Sequence, residues 1–527
     1  MLLKRCFLFI LSLILIALPV KANKSYVLLS PNKSFASQCT AQNTIYEIRY
    51  DFDLKEKVLR LPKGCVLKLN GGSINNGKLY LLSDSRVVGT GEKCNRLLLG
   101  VEMKNVENVL IDGIELIGYK NRATMREEIV TGIKVSPGGS VNGFTVSNCL
   151  IHGYNSGISI RGSNVTVKDN VFYDNGHSET VGGVHDDEVD VCAGYSPNEP
   201  ETCNFIITGN RCLSKYVHRN IDCGELLSEN NILISGNICV SMDGTTKEDS
   251  DDIRKSQCIL VGYTGLSEKN KAAIISNNIC KHCSWGAIYV RANNTGKTEG
   301  SNGYVALITG NYIENVVKTT NSKFGSGIAC ELREGSIVSN NIIKNCTQGI
   351  NIGQIYSNGH VKVFGNSIDH CDYGILNDAI AVKIDITNNS ITNVHYQGIA
   401  ITEASEAYGY APGKFVNISE NTITLRNNEQ KKNNSSGANG AIGLFLYNVG
   451  TVSYRVNSNF IVGNDKNTHI GVEFRCNSKT SSLTIRDNYV SGCKVGISRI
   501  PGSDVANKNF KLRDNMLEGC AKEQSGM

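Results

Sequence analysis

Past its first 22 residues the chain has no apolar run long enough to cross a membrane, a single tryptophan, almost no net charge and no recurring CxxC pair. Each shortage removes a class of function. Without a second long apolar run no membrane span is expected. The formal charge of +5 falls to +2 once the three leader cations, Lys4, Arg5 and Lys21, are subtracted. So even a balance argues against nucleic acid as a partner, and it leaves an acidic substrate only a local basic patch to be drawn by. The lone CKHC at Cys280 to Cys283 is not a zinc pattern. The acidic run Glu248, Asp249, Asp251 and Asp252 lacks the glycine and terminal glutamate of an EF-hand and reads as a solvated loop. Against the one tryptophan stand 21 tyrosines, most of them packing residues. Tyr263 and Tyr289 are the ones expected beside a groove, where a ring can stack on a sugar.

The first 22 residues carry Lys4 and Arg5, an apolar run from Cys6 to Val20 and a Val20-Lys21-Ala22 end, the pattern of a removed signal peptide. The mature product is expected to be exported, either secreted or periplasmic. No cysteine follows the expected cut, which argues against a lipid anchor.

What the chain does have is an asparagine that returns twelve times with an apolar residue three positions before it and an apolar residue or cysteine two after. The positions are Asn170, Asn210, Asn237, Asn278, Asn311, Asn341, Asn366, Asn389, Asn421, Asn459, Asn488 and Asn515. From Asn170 to Asn515 the spacing averages about 31 residues, between 23 and 41. A fixed motif with variable filler is the mark of a solenoid whose coils carry loops of different length. The flanking apolar residues lie five apart, neither helical spacing nor unbroken alternation, so a turn separates two short strands. Asparagine at the corner is expected to take the left-handed conformation, which it tolerates better than other non-glycine residues. Stacked coils would then set the side-chain amides in a hydrogen-bonded ladder. A third strand is often announced by Gly-Ile, as at Gly157-Ile158, Gly327-Ile328, Gly349-Ile350 and Gly374-Ile375.

Three strands per coil, each pairing with its equivalent in the next, make an all-β, right-handed, single-stranded parallel β-helix with an Asn ladder. On these repeats the chain resembles the right-handed β-helix proteins of the pectate-lyase-like superfamily. Residues 23–107 lack the ladder and are expected to form an N-terminal cap and the first irregular coils, 108–520 the β-helix, and 521–527 a polar tail. Most cysteines fall at inward positions: Cys212, Cys239 and Cys280 two after a ladder asparagine, and Cys283, Cys346, Cys371, Cys493 and Cys520 five after. Cys223, Cys258 and Cys330 fall inward on third strands. They read as small core hydrophobes. Cys192 and Cys203, either side of an inserted loop, are the candidate disulfide. Insertions near 174–187, 192–203, 241–257, 262–272, 292–303, 403–414 and 427–439 would wall a groove beside the third strands.

Aligning Ile158, Val189, Ile221, Ile288 and Ile328 as one inward column predicts that Asp190 and Asp222 stack outward on consecutive coils. Glu188 lies two before Asp190, with His185, Asp186 and Asp187 in the approach. His218 and Arg219 enter the strand of Asp222, Arg161 is outward on the coil before Asp190, and Tyr289, Arg291 and Glu331 are outward further on. Like charges stacked across a strand pair need neutralising, and a cation, an arginine or a shared proton would do it. The superfamily resemblance implies Ca²⁺ held by Asp190, Asp222 and Glu188. It likewise implies Arg219, Arg291 or His218 as the base of a β-elimination, with Arg161, Tyr289, Glu331 and His185 on the substrate. The expected partner is a polysaccharide or oligosaccharide, and the expected activity is that of a lyase on uronic-acid-containing glycan. A glycoside hydrolase using the same carboxylates is one alternative, although the chain lacks the motif series of the β-helix galacturonan hydrolases. A non-catalytic glycan-binding or adhesion solenoid is the other. Isolated histidines, His152, His360, His370 and His395, read as coil residues.

Overall fold

A computed structural model describes residues 24–526, apart from 91–94, 119–130, 177–188, 194–201, 215–216, 225–228, 242–255, 263–270, 292–304, 317–324, 333–334, 353–359, 378–382, 403–413, 427–439, 449–450, 477–478 and 504–508. Its unit is a coil of three short strands, as in Lys271–Ser276, Ile279–Cys283 and Gly286–Arg291. Ala273, Ile275, Cys280, Cys283, Ile288 and Val290 are buried in that coil. Each strand pairs in parallel with its equivalents above and below; Ile275, for example, lies between Ile234 and Ile308. Repetition of this pairing gives two parallel sheets of 18 and 29 strands, the larger holding the second and third strands of each coil. The chain is a parallel β-helix.

The asparagines form the ladder that the spacing predicts. Nδ2 of Asn170 donates to Oδ1 of Asn210 at 3.0 Å, Asn210 to Asn237 at 2.9 Å, and the series runs unbroken to Asn488 and Asn515 at 2.9 Å. The backbone N–H of each also donates to the next Oδ1, as from Asn278 to Asn311 at 3.0 Å. One expectation is corrected. The left-handed residue is the one before the ladder position: Asn277 has φ 55°, Gly310 67° and Asn340 54°. The corner needs one residue to reverse the chain and a different one to turn its amide inward, so the two tasks fall on neighbours.

The cysteines at the expected inward sites are buried, apart from the half-buried Cys520 in the last coil. Cys212, Cys239 and Cys280 stack in register on three consecutive coils. The expected Cys192–Cys203 bridge is not formed, since Cys192 carries no disulfide. The Gly-Ile glycines are explained by close approach: a Cβ at Gly349 would lie 2.5 Å from the carbonyl oxygen of Gly374 on the next coil. At the N-terminal end a one-turn helix, Phe35–Gln38, is capped by Ser34, and Phe35 packs edge-on against Phe52 at 5.1 Å. Nearby, the buried carboxylate of Glu47 accepts from Tyr26, Arg49, Lys68 and Asn70.

Candidate functional site

The pairing of the third strands sets which side chains share a face. Ile158, Val191, Ile221, Ile259, Ile288 and Ile328 form one inward column. Val191 holds the place expected for Val189, and the register is shifted by two residues in that coil. Asp222 is therefore level with Cys192, and Asp190 does not stack on it. The segment Val189-Asp190-Val191 offers two valines two apart, and nothing local to the segment chooses between them.

Asp190 lies inside the coil, 0% exposed. Its Oδ1 accepts from Ser214 and from Asn175 at 3.0 Å, and its Oδ2 from Asn220 at 3.0 Å. Burial pushes its carboxyl up to about 6, with these three donors opposing the shift. Asp190 is level with Asn220, two residues before Asp222, so the two carboxylates are not stacked in the way the expected Ca²⁺ site would use them. Glu188 and His185 lie outside the described residues, as do Asp186, Asp187, Tyr263 and the acidic run at 248–252.

The outward face around Asp222 does gather chemistry. Nη1 of Arg219 donates to Oδ2 of Asp222 at 2.7 Å, and its Nε donates to Oε1 of Gln257 on the next coil at 3.1 Å. Asp222 is 7% exposed, and its Oδ1 is buried with no hydrogen-bond partner among the described residues. An unmatched buried carboxylate oxygen is costly unless something arrives to donate to it. Glycine is required beside it: a Cβ added to Gly224 would come 2.8 Å from that Oδ1 and 3.3 Å from the carbonyl oxygen of Gly262, too close for the carboxylate to stay in place. Gly224, Gly262 and Arg291 follow one another in register at the end of the strands. Gly262 is likewise a close approach of backbone, since a Cβ there would lie 2.0 Å from the carbonyl oxygen of Arg291.

Along the same outward column come Asp222, Leu260, Tyr289 and Ala329. The hydroxyl of Tyr289 donates to Oε1 of Glu331 at 3.3 Å, and burial pushes the phenol up. His218 is buried at the entry to the strand, and its carbonyl oxygen accepts from the N–H of Gln257. Arg161 follows the strand Ser156–Ile160, two coils before Asp222. The structure therefore joins Arg219 to Asp222 and Tyr289 to Glu331 directly, leaves Arg161 at a distance, and removes Asp190. Gln257, Gly224 and Gly262 were not singled out from the sequence, although glycine ends the third strand in both coils. Glu473 was also missed. It is outward, one coil from Phe445 and 7% exposed, its Oε2 has no partner among the described residues, and burial raises its carboxyl to about 7. A carboxyl so placed holds its proton near neutrality and can donate it.

The isolated histidines lie elsewhere. His152 meets Glu115 at 3.2 Å, His395 meets Asp372 at 3.0 Å and His370 meets Asp369 at 2.8 Å, while His360 meets Asp385.

No family model matches the chain, and no curated protein matches it. Solved structures do. Two mutants of the tailspike protein of the E. coli bacteriophage HK620, one in complex with a hexasaccharide and one with a pentasaccharide, each share 11% identity with this chain. The alignments cover 89% and 93% of it and 69% and 76% of those chains, with TM-scores of 0.31 and 0.33. The Streptococcus pneumoniae surface protein and adhesin PfbA is aligned over 91% of both chains at 11% identity, with a TM-score of 0.27. Likeness this distant says nothing of what this chain binds.

Proposed function

We propose that this β-helix binds a glycan on the outward face of its third strands, at the strand ends that carry Asp222, Gly224, Gly262 and Arg291. The observation that carries the reading is Oδ1 of Asp222, buried and without a partner among the described residues. A sugar hydroxyl is a small neutral donor that fits such an acceptor, and Arg219 and Gln257 offer further hydrogen bonds to neighbouring ring oxygens. Arg219, paired with Asp222 at 2.7 Å, offers a charge partner, for example to a uronate carboxylate.

A glycan array of neutral and acidic polysaccharides, followed by titration calorimetry on the best hit, tests this. Asp222→Asn and Gly224→Val are expected to weaken binding at least tenfold, roughly 1.4 kcal/mol, with the fold intact by circular dichroism. Undiminished affinity in both variants would end the proposal.

Arg291, level with Gly262 and one coil beyond it, favours a second reading, in which the bound glycan contains uronic acid and is cleaved by β-elimination with Arg291 or His218 taking the proton. Incubation with acidic polysaccharides, with and without Ca²⁺, would then yield ultraviolet-absorbing unsaturated products. Binding without any such product leaves a non-catalytic glycan-binding rod.

A further inference from the structure

On the outside of the 18-stranded sheet, five consecutive coils present an aliphatic side chain at one register position. Ile206, Leu233, Ile274, Leu307 and Ile337 pair in that order. Ile206 is 41% exposed and Ile274 43%, and Val305, two residues before Leu307, is 40% exposed. The ridge has ends: the coil before Ile206 offers Thr166 and the coil after Ile337 offers Lys362. Asn204 and Asn231 border it on one side, and Thr208, Ser235, Ser276, Thr309 and Ser339 on the other. Among the described side chains of these five strands none is charged. Parallel sheets are normally covered on both faces, and a contiguous exposed apolar strip marks a contact surface.

We infer that this ridge docks a second copy of the same chain. Its side chains repeat at the rung spacing, and the surface that repeats at the same spacing is the ridge of another copy, so the two can interdigitate. The bordering amides and hydroxyls both donate and accept, and so complement themselves across a two-fold axis. A neutral strip gives no purchase to nucleic acid or to an acidic glycan. Direction follows from the ends. Antiparallel copies related through Ile274 bring Lys362 opposite Thr166, whereas parallel copies would set Lys362 against itself. Four rung steps of about 4.8 Å make a ridge on the order of 19 Å long. One such strip falls short of the roughly 800 Å² per partner of a standard interface, so the pairing is reversible and of modest affinity. This inference is independent of the glycan reading.

Sedimentation velocity over a concentration series tests it with the wild type, Ile274→Lys and Ile342→Lys. The last is a control, because Ile342 is 43% exposed but lies on the other sheet. The wild type and Ile342→Lys are expected to form a reversible dimer. Ile274→Lys puts two cations face to face at the two-fold axis, and its association is expected to weaken at least tenfold. Ile274→Thr, which keeps a β-branched strand residue, repeats the test should the lysine variant fold poorly. A wild type that stays monomeric up to its solubility limit overturns the inference. So does dimerisation unchanged in both Ile274 variants, or lost in Ile342→Lys.

Discussion

Asp190 occupies the column where most coils carry glycine, and its carboxylate replaces a close backbone contact with three hydrogen bonds, from Ser214, Asn175 and Asn220. Because burial raises its folded value to about 6, the folded state holds the proton more tightly than the unfolded chain. The sign follows: its contribution to stability is fully present below the ordinary carboxylate value, falls as pH rises through about 6, and then levels off. Asp190→Asn should flatten that slope. It should cost no more than about 1 kcal/mol, because the amide of Asn220, whose Oδ1 has no partner among the described residues, can turn to accept from the new Nδ2. Asp190→Leu strands three donors and should cost roughly 3 kcal/mol or more. Urea unfolding of the three proteins between pH 4 and pH 8 measures both effects.

At the scale of the coil, the ladder was legible because it depends on side chains that are alike in every turn. Asn278, Asn311 and Asn341 each receive two donors from the coil before and donate to the coil after. Asn311→Ala breaks the chain of amides in its middle and should destabilise by about 3 kcal/mol. Asn515→Ala removes the two bonds from Asn488 and those donated to the carbonyl oxygens of Ile485 and Arg513, but at the half-buried end where water replaces them, and should cost about 1 kcal/mol; melting temperatures of the two variants compare them. The site was less legible for a physical reason. A ladder asparagine fixes the strands on either side of it, but a variable stretch separates it from the third strand, and in the coil of Asp190 that stretch is an insertion. Register is thus lost between Asn170 and Val189, and a two-residue slip moves Asp190 from the outward place after the inward residue to the place before it, the buried column it shares with Gly157 and Asn220. Ile221, by contrast, takes the inward place expected of it, level with Val191 and Ile259.

At the scale of the molecule, the core replaces covalent links with repetition. None of the sixteen cysteines that the structure describes is bridged, and most are sealed between coils, where burial pushes thiols such as Cys149 up to about 12. Native protein should therefore react slowly with a thiol reagent, and after denaturation without reductant these cysteines should all be alkylated; peptide mass spectrometry reads the count, and a bridged pair among them would contradict the structure. The ladder also has a consequence for the rod as a body. Every amide from Asn170 to Asn488 donates one N–H to the amide oxygen of the next coil and the other to a carbonyl of the last, and accepts on its oxygen from the last coil, so that its C=O points back along the rod. Those dipoles add along the axis. The solenoid is therefore electrically polarised, positive toward its C-terminal end, so its two tips are unlike poles even where their charged residues balance.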